Sequence, residues 1–121
     1  MDPQAFQAYL AEKSDRVDEE LDAWLPPAGG VPRLHEGVRY ALGLDVPERK
    51  RRGKRLRPVL CLLTAESLAG DPNQAMPFAL ASEMLHNFML VHDDIEDGDR
   101  VRRGRDTVWV RYGLEHAINI G

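Results

Sequence analysis

Glu83-Met84-Leu85-His86-Asn87-Phe88-Met89-Leu90-Val91-His92-Asp93-Asp94-Ile95-Glu96-Asp97 is an apolar run that ends in a crowd of carboxylates. With Phe78, Ala79, Leu80 and Ala81 upstream, it predicts a helix over about 74–97, buried on most sides. On a helix Asp93 and Asp97 stand one turn apart on the same face. Two such carboxylates repel each other unless a cation lies between them. Acidic side chains at a helix C-terminus also oppose the macrodipole, so a merely solvated acidic end would be a costly arrangement. Carboxylates suit hard ions such as Mg²⁺, which keeps several waters and shares its remaining positions with phosphates. The turn is therefore predicted to hold Mg²⁺ at the rim of an apolar cavity. His86 falls two turns before Asp93 on nearly the same face. A lone histidine there is more often a satisfied core residue than a ligand.

Two basic groups flank this turn in sequence. Gly53-Lys54-Arg55-Leu56-Arg57-Pro58 leads into a further predicted helix, with Lys54 and Arg57 three residues apart near its positive end. Flexible backbone, two cations and a helix N-terminus suit an anion. Arg100, Arg102, Arg103 and Arg105 follow the carboxylates, and clustered guanidinium groups favour bidentate phosphate recognition. The run Arg49-Lys50-Arg51-Arg52 reads as a solvated, mobile stretch without a specific role. Nucleic-acid binding is the competing reading. It leaves unexplained the carboxylates between the basic groups, which would repel a phosphate backbone. A small diphosphate bound with Mg²⁺ explains both.

The rest of the chain predicts an all-α fold without strands. Asp2-Pro3 has the form of an N-cap followed by proline at the first helical position. Phe6, Tyr9, Leu10, Val17, Leu21 and Trp24 then form the apolar stripe of a long first helix. Pro26, Pro27, Gly29, Gly30 and Pro32 end it. A second helix is expected over 33–44, with Leu34, Val38, Ala41 and Leu42 inward. A third starts at Pro58 and is apolar almost all round through Leu68. Residues 98–106 read as a charged loop. Thr107 caps a short helix through Tyr112, and another begins at Leu114. Two nearly all-apolar helices in 121 residues need more neighbours than the other helices supply, so the core is expected to be completed by residues absent here or by another chain.

The composition, 43% hydrophobic and 30% charged, is that of a soluble globular protein, and a formal net charge of −4 argues against a general nucleic-acid binder. Cys61, the single cysteine, excludes an intrachain disulfide and is expected to be a buried packing residue. A secretory signal and a run long enough to span a membrane are both lacking, so a cytoplasmic protein is the default expectation.

Taken together, Gly53-Lys54-Arg55-Leu56-Arg57-Pro58, Glu83-Met84-Leu85-His86, Asp93-Asp94-Ile95-Glu96-Asp97 and Arg102-Arg103-Gly104 resemble the trans-prenyltransferases, the farnesyl, geranylgeranyl and longer polyprenyl diphosphate synthases. Thr107, Tyr112-Gly113 and Ala117-Ile118-Asn119 continue the likeness, which runs over residues 34–121. A lone DDxxD motif would be weak, because terpene cyclases share it; four ordered motifs are specific. The resemblance implies the isoprenoid synthase helical bundle, usually a homodimer. It implies that an allylic diphosphate ionises and that isopentenyl diphosphate attacks the cation, giving a C15–C20 product. By position, Lys54, Arg57, His86 and Arg103 would hold isopentenyl diphosphate. Asp93 and Asp97, with Asp94 in support, would hold Mg²⁺ on the allylic diphosphate, and Arg102 would contact that diphosphate. Bulk just upstream of the first aspartate limits product length in this family, which points to Phe88 and Met89; plain core packing explains Phe88 equally well.

Arg52 stands where the family often has the first of two glycines. The second aspartate-rich motif and the lysines that follow it in the family are not in the sequence. The chain is accordingly expected to be the N-terminal half of one isoprenoid synthase domain, inactive in elongation by itself. Two alternatives remain. One is a non-catalytic half-domain that pairs with another prenyl synthase and modulates it. The other is a terpene cyclase-like or head-to-head synthase, which would have no need of Lys54, Arg57 and Arg103.

Overall fold

A computed structural model describes residues 2–27, 29–48 and 52–121. Along the chain come α1 (Pro3–Trp24), α2 (Pro32–Leu42), α3 (Leu56–Ser67), α4 (Pro72–Asp97), a two-stranded hairpin of β1 (Val101–Arg102) and β2 (Arg105–Asp106), α5 (Val108–Tyr112) and α6 (Leu114–Ile120). The chain divides into two compact units, Met1–Leu25 with Lys54–Glu83, and Pro26–Gly53 with Met84–Gly121.

In the first unit α1 begins as its sequence predicts. The Asp2 carboxylate accepts from the Ala5 amide at 2.8 Å, and Pro3 occupies a position whose N–H would have no helical partner. Val17 and Leu21 of α1, Pro58, Val59 and Leu62 of α3, and Met76, Ala79 and Leu80 of α4 are buried. The inward face is narrower than the sequence predicts. Trp24, Leu60, Leu68 and Phe78 are exposed and Cys61 is only half-buried. The described residues supply too few neighbours to cover every apolar face. Helix α3 starts at Leu56, two residues before Pro58, because proline in a first turn forgoes a hydrogen bond that no residue there can make. Ala69 turns left-handed just after α3, with Gly70 N–H on the Ala65 carbonyl at 2.8 Å. Helix α4 starts at Pro72, where the Asp71 side chain accepts from the Asn73 amide at 2.8 Å.

In the second unit Tyr40, Val91, Val108, Tyr112, Ala117 and Ile120 form the core, with Tyr40 and Tyr112 edge to face at 5.4 Å between centroids. Helix α2 ends at Leu42, short of the expected 44, because Gly43 turns left-handed and its N–H and that of Leu44 return to the carbonyls of Tyr40 and Arg39. A Cβ on Gly37 would overlap the Ile120 side chain, so α2 and α6 pack closely only because that residue is glycine. Leu34, expected inward, is exposed, as are Leu85 and Met89 of α4. Of the basic run 49–52, Arg52 alone lies among the described residues. Its Nε donates to the Val46 carbonyl at 2.6 Å, so it is a folded part of the unit and not a loose tail.

In the first unit Glu66 accepts from the Tyr9 hydroxyl at 2.8 Å and pairs with Lys13 at 3.0 Å. The hydrogen bond from Tyr9 and then that from Lys13 hold the carboxyl below the ordinary 4.5. A lowered folded pKa stabilises above the ordinary carboxylate range, and the contribution is lost as pH falls through the lowered value. Glu66→Gln is expected to cost about 1 kcal/mol at neutral pH and nothing once the carboxyl is protonated. Urea unfolding of both proteins between neutral pH and pH ~3 checks this.

Candidate functional site

The acidic turn closes α4 within the second unit. Gly98 takes φ 68° after Asp97, its N–H bonds the Ile95 carbonyl at 3.2 Å, and the Asp99 N–H reaches the Asp94 carbonyl at 2.9 Å. This αL stop ends the helix without capping by a cation. Asp93 and Asp97 are exposed at that end, one turn apart. Asp94 is placed differently. It is 3% exposed, and its two carboxylate oxygens accept from Arg102 Nε at 2.8 Å and Arg102 Nη2 at 2.7 Å. This bidentate fork supplies the positive charge that a buried carboxylate at the negative end of a helix requires. The hydrogen bonds to Asp94 raise the Arg102 guanidinium above its ordinary value; burial works against them, and the charges of Asp94, Asp99 and Asp93 add to the rise. Arg102 stays cationic at any working pH.

Arg102 is presented by an element that the sequence does not predict. Residues 98–106, expected to be a charged loop, contain the antiparallel pairs Val101 with Asp106 and Arg102 with Arg105. The two residues between the strands, Arg103 and Gly104, both have positive φ, 52° and 77°, the pattern of a type I′ turn. Two-residue strands are too short to show alternation, and Arg-Gly is not a common signal for this turn. The hairpin is tied down on its other edge. Arg105 forks onto Asp45 at 2.9 and 3.0 Å and donates to the Tyr40 carbonyl at 2.6 Å, while the Tyr40 hydroxyl donates to the Asp106 carbonyl at 2.6 Å. The Thr107 hydroxyl, expected to cap α5, bonds the Asp99 carbonyl at 2.8 Å instead, and Trp109 Nε1 donates to the same oxygen at 2.7 Å.

Arg103 turns inward. Its Nη1 donates to the Arg52 carbonyl at 3.2 Å and to Asn87 Oδ1 at 3.3 Å. Asn87 is a buried residue that the sequence did not mark out; an amide among apolar residues on a helix was the available signal. The Arg103 guanidinium also lies against Gly53. A Cβ on Gly53, whose φ is 96°, would stand 3.0 Å from the guanidinium carbon, so glycine is needed there for the backbone and for the close approach. A cavity of about 30 Å³ among Asn87, Asp94, Arg102, Arg103 and Thr107 holds no more than one or two water molecules.

The remaining predicted residues are distributed as follows. His86 is half-buried on α4, two turns before Asp93; Phe88 is half-buried and Met89 is 56% exposed. Lys54 and Arg57 are exposed and belong to the first unit. Among the described residues no three His, Cys, Asp or Glu side chains converge into a metal cage. Two exposed carboxylates one turn apart still fit Mg²⁺. That ion characteristically takes one or two protein carboxylates and fills its octahedron with water and substrate phosphate.

The fold and the turn together define a helical protein with paired exposed carboxylates at a helix end and an arginine hairpin behind them. Residues 48–121 match the family model of the polyprenyl synthetases, and the chain belongs to that family. It is 53% identical over 115 residues to the geranylgeranyl pyrophosphate synthase of Geoglobus acetivorans, covering 93% of this chain and 33% of that protein. It is 36% identical over 118 residues to a heterodimeric geranylgeranyl pyrophosphate synthase large subunit of Arabidopsis thaliana, covering 96% of this chain and 30% of that one. The solved structure of an FPP/GFPP synthase from Zymomonas mobilis aligns with TM-score 0.80 and 30% identity, over 94% of this chain and 40% of its own. The fold is thus that of the isoprenoid synthases, and the chain spans about a third of the length of the curated relatives it matches. The likeness extends beyond the expected 34–121 into α1.

Unequal burial of the neighbouring aspartates gives opposite expectations for stability. Asp94→Asn strips the buried fork of its charge and is expected to lower stability by about 2 kcal/mol. Asp93→Asn removes a charge that opposes the helix dipole and is expected to be neutral or to add about 0.3 kcal/mol. Denaturant unfolding of the two variants side by side reads the difference.

Proposed function

We propose that this chain supplies the diphosphate- and metal-binding part of a prenyl-elongating transferase. The observation that carries the reading is the acidic turn itself: Asp93 and Asp97 stay open at the helix end while Asp94 is spent on holding Arg102. In the proposed reaction the C–O bond of an allylic diphosphate breaks and the electron pair leaves with the diphosphate. The double bond of isopentenyl diphosphate then forms the new C–C bond to the allylic cation, and loss of a proton regenerates an alkene.

Asp93 and Asp97 would hold Mg²⁺, which when bound neutralises charge on the leaving diphosphate. Arg102, fixed by Asp94, adds a guanidinium for the same group. Lys54, Arg57, His86 and Arg103 are assigned to the isopentenyl diphosphate. Phe88 and Met89 are assigned to the limit on product length. The predominantly apolar α4 keeps water from a carbocation, which it would otherwise quench. Relatives named geranylgeranyl pyrophosphate synthase, whose product is C20, support a C15–C20 product, and the cytoplasm as location and a homodimer as assembly belong to the same proposal. Among the described residues no helix is long and apolar enough to cross a membrane. A second reading, a half-domain that pairs with another synthase chain, draws on the heterodimeric relative. Co-purification with a full-length synthase would favour it.

Calorimetry of an allylic diphosphate into the chain is expected to show uptake that depends on Mg²⁺. Asp93→Ala with Asp97→Ala is expected to reduce that uptake at least tenfold, on the scale of losing one or two charged ligand contacts. Uptake indifferent to both metal and substitution would overturn the reading. The chain is expected to show no turnover of labelled isopentenyl diphosphate by itself; robust elongation would refute that part alone.

A further inference from the structure

Buried in the first unit is an ion triad that the proposed chemistry does not use. Arg55 donates from Nε to Asp18 Oδ1 at 2.7 Å and from Nη1 to Glu83 Oε1 at 2.9 Å. The guanidinium side chain is fully buried, and both carboxylates are nearly so. Arg55 also carries an uncommon backbone: φ 51°, ψ 32°, left-handed without being glycine, at the N-cap of α3. One residue before it, the Lys54 carbonyl accepts from the Ser14 hydroxyl of α1 at 3.2 Å. The Val59 N–H closes the first helical turn on the Arg55 carbonyl at 3.2 Å.

These contacts have one geometric consequence. The Arg55 side chain is drawn inward by α1 and α4, and its neighbours Lys54 and Arg57 stand outside, exposed, on either side of the helix start. A left-handed arginine persists only where its surroundings over-determine it. Here the surroundings are two carboxylates and a hydroxyl, and two of the three groups, Ser14 and Asp18, lie on α1, outside the matched family stretch. We infer that α1 is a positioning element of the anion site: Asp18 and Ser14 hold the 54–55 backbone so that Lys54 and Arg57 present their charges together to a diphosphate. Asp18 and Ser14 touch no substrate and act through Arg55 and the Lys54 carbonyl. The inference rests on the assignment of Lys54 and Arg57 to isopentenyl diphosphate.

The test is calorimetric titration of isopentenyl diphosphate, without metal, into the unaltered chain and into Arg57→Ala, Asp18→Asn, Ser14→Ala, Ser14→Thr and Glu19→Gln, each checked for its helical spectrum. Arg57→Ala, Asp18→Asn and Ser14→Ala are expected to weaken uptake about tenfold, the usual scale for removing a group that orients a ligand contact. Ser14→Thr keeps the hydroxyl and is expected to restore uptake; Glu19→Gln, on the exposed face of α1, is expected to leave it unchanged. The Mg²⁺-dependent uptake of an allylic diphosphate, assigned to Asp93 and Asp97, is expected to be the same in all of them, a split that general loosening of the fold would not produce. Should Asp18→Asn fail to fold, the Ser14 pair decides. If Arg57→Ala weakens uptake and folded Asp18→Asn and Ser14→Ala do not, the inference is overturned and the site assignment stands. If the unaltered chain takes up no isopentenyl diphosphate, or Arg57→Ala takes it up equally, the site assignment fails and the inference falls with it.

Discussion

The fork between Asp94 and Arg102 is the constraint on which the acidic turn depends. A carboxylate that is nearly inaccessible, at the negative end of a 26-residue helix, has neither water nor dipole to stabilise it. Arg102 supplies both missing elements, a full positive charge and two hydrogen bonds in one plane. In satisfying Asp94 the guanidinium also docks the β-hairpin on the end of α4, and the tight turn that follows sends Arg103 back to Asn87 and the Arg52 carbonyl. Three neighbouring carboxylates thus divide their work by burial. One organises the element behind it, and two remain at the surface with their lone pairs open.

Strain in the backbone follows the same arginines. Among the described residues three that are not glycine adopt positive φ: Arg55, Ala69 and Arg103. Ala69 ends a helix, where a left-handed residue satisfies trailing carbonyls. The two arginines sit where no helix C-terminus calls for such a conformation, and each is held by buried acceptors, Asp18 and Glu83 for Arg55, Asn87 for Arg103. Left-handed backbone at a residue with a Cβ costs free energy, and buried hydrogen bonds to a charge are strong enough to offset it. Such a device makes the direction of neighbouring side chains definite. That matters for the proposed contacts of Lys54 and Arg57 with a diphosphate and would matter little for a solvated basic loop.

Apolar exposure marks the other side of the balance. Phe78, Leu85 and Met89 of α4 are exposed, as are Leu60 and Leu68 near or on α3. Two helices that are apolar almost all round can be buried only by neighbours on every side, and the described residues provide them on one face each. The curated relatives are about three times as long as the matched stretch.

Helix positions were legible in the amino-acid order because they are set by local chemistry. Asp2-Pro3 specifies a start, the proline- and glycine-rich stretch around 26–32 a break, and the apolar run ending at Asp97 a long helix. The family motifs were legible for the same reason, being short and ordered. Boundaries moved by two residues where a single conformation decided them: Gly43 stopped α2 early, and proline tolerated in a first turn let α3 begin at Leu56. What no local pattern could show was which charge would be buried. Asp93 and Asp94 are chemically identical neighbours, and Lys54, Arg55 and Arg57 form one basic run. Only the packing of α4 against the hairpin separates the first pair, and only the approach of Asp18 and Glu83, 37 and 28 residues away, draws Arg55 inward. Residue type and spacing determine helices and donor chemistry; burial is a property of the assembled chain, because it depends on neighbours that are distant in sequence.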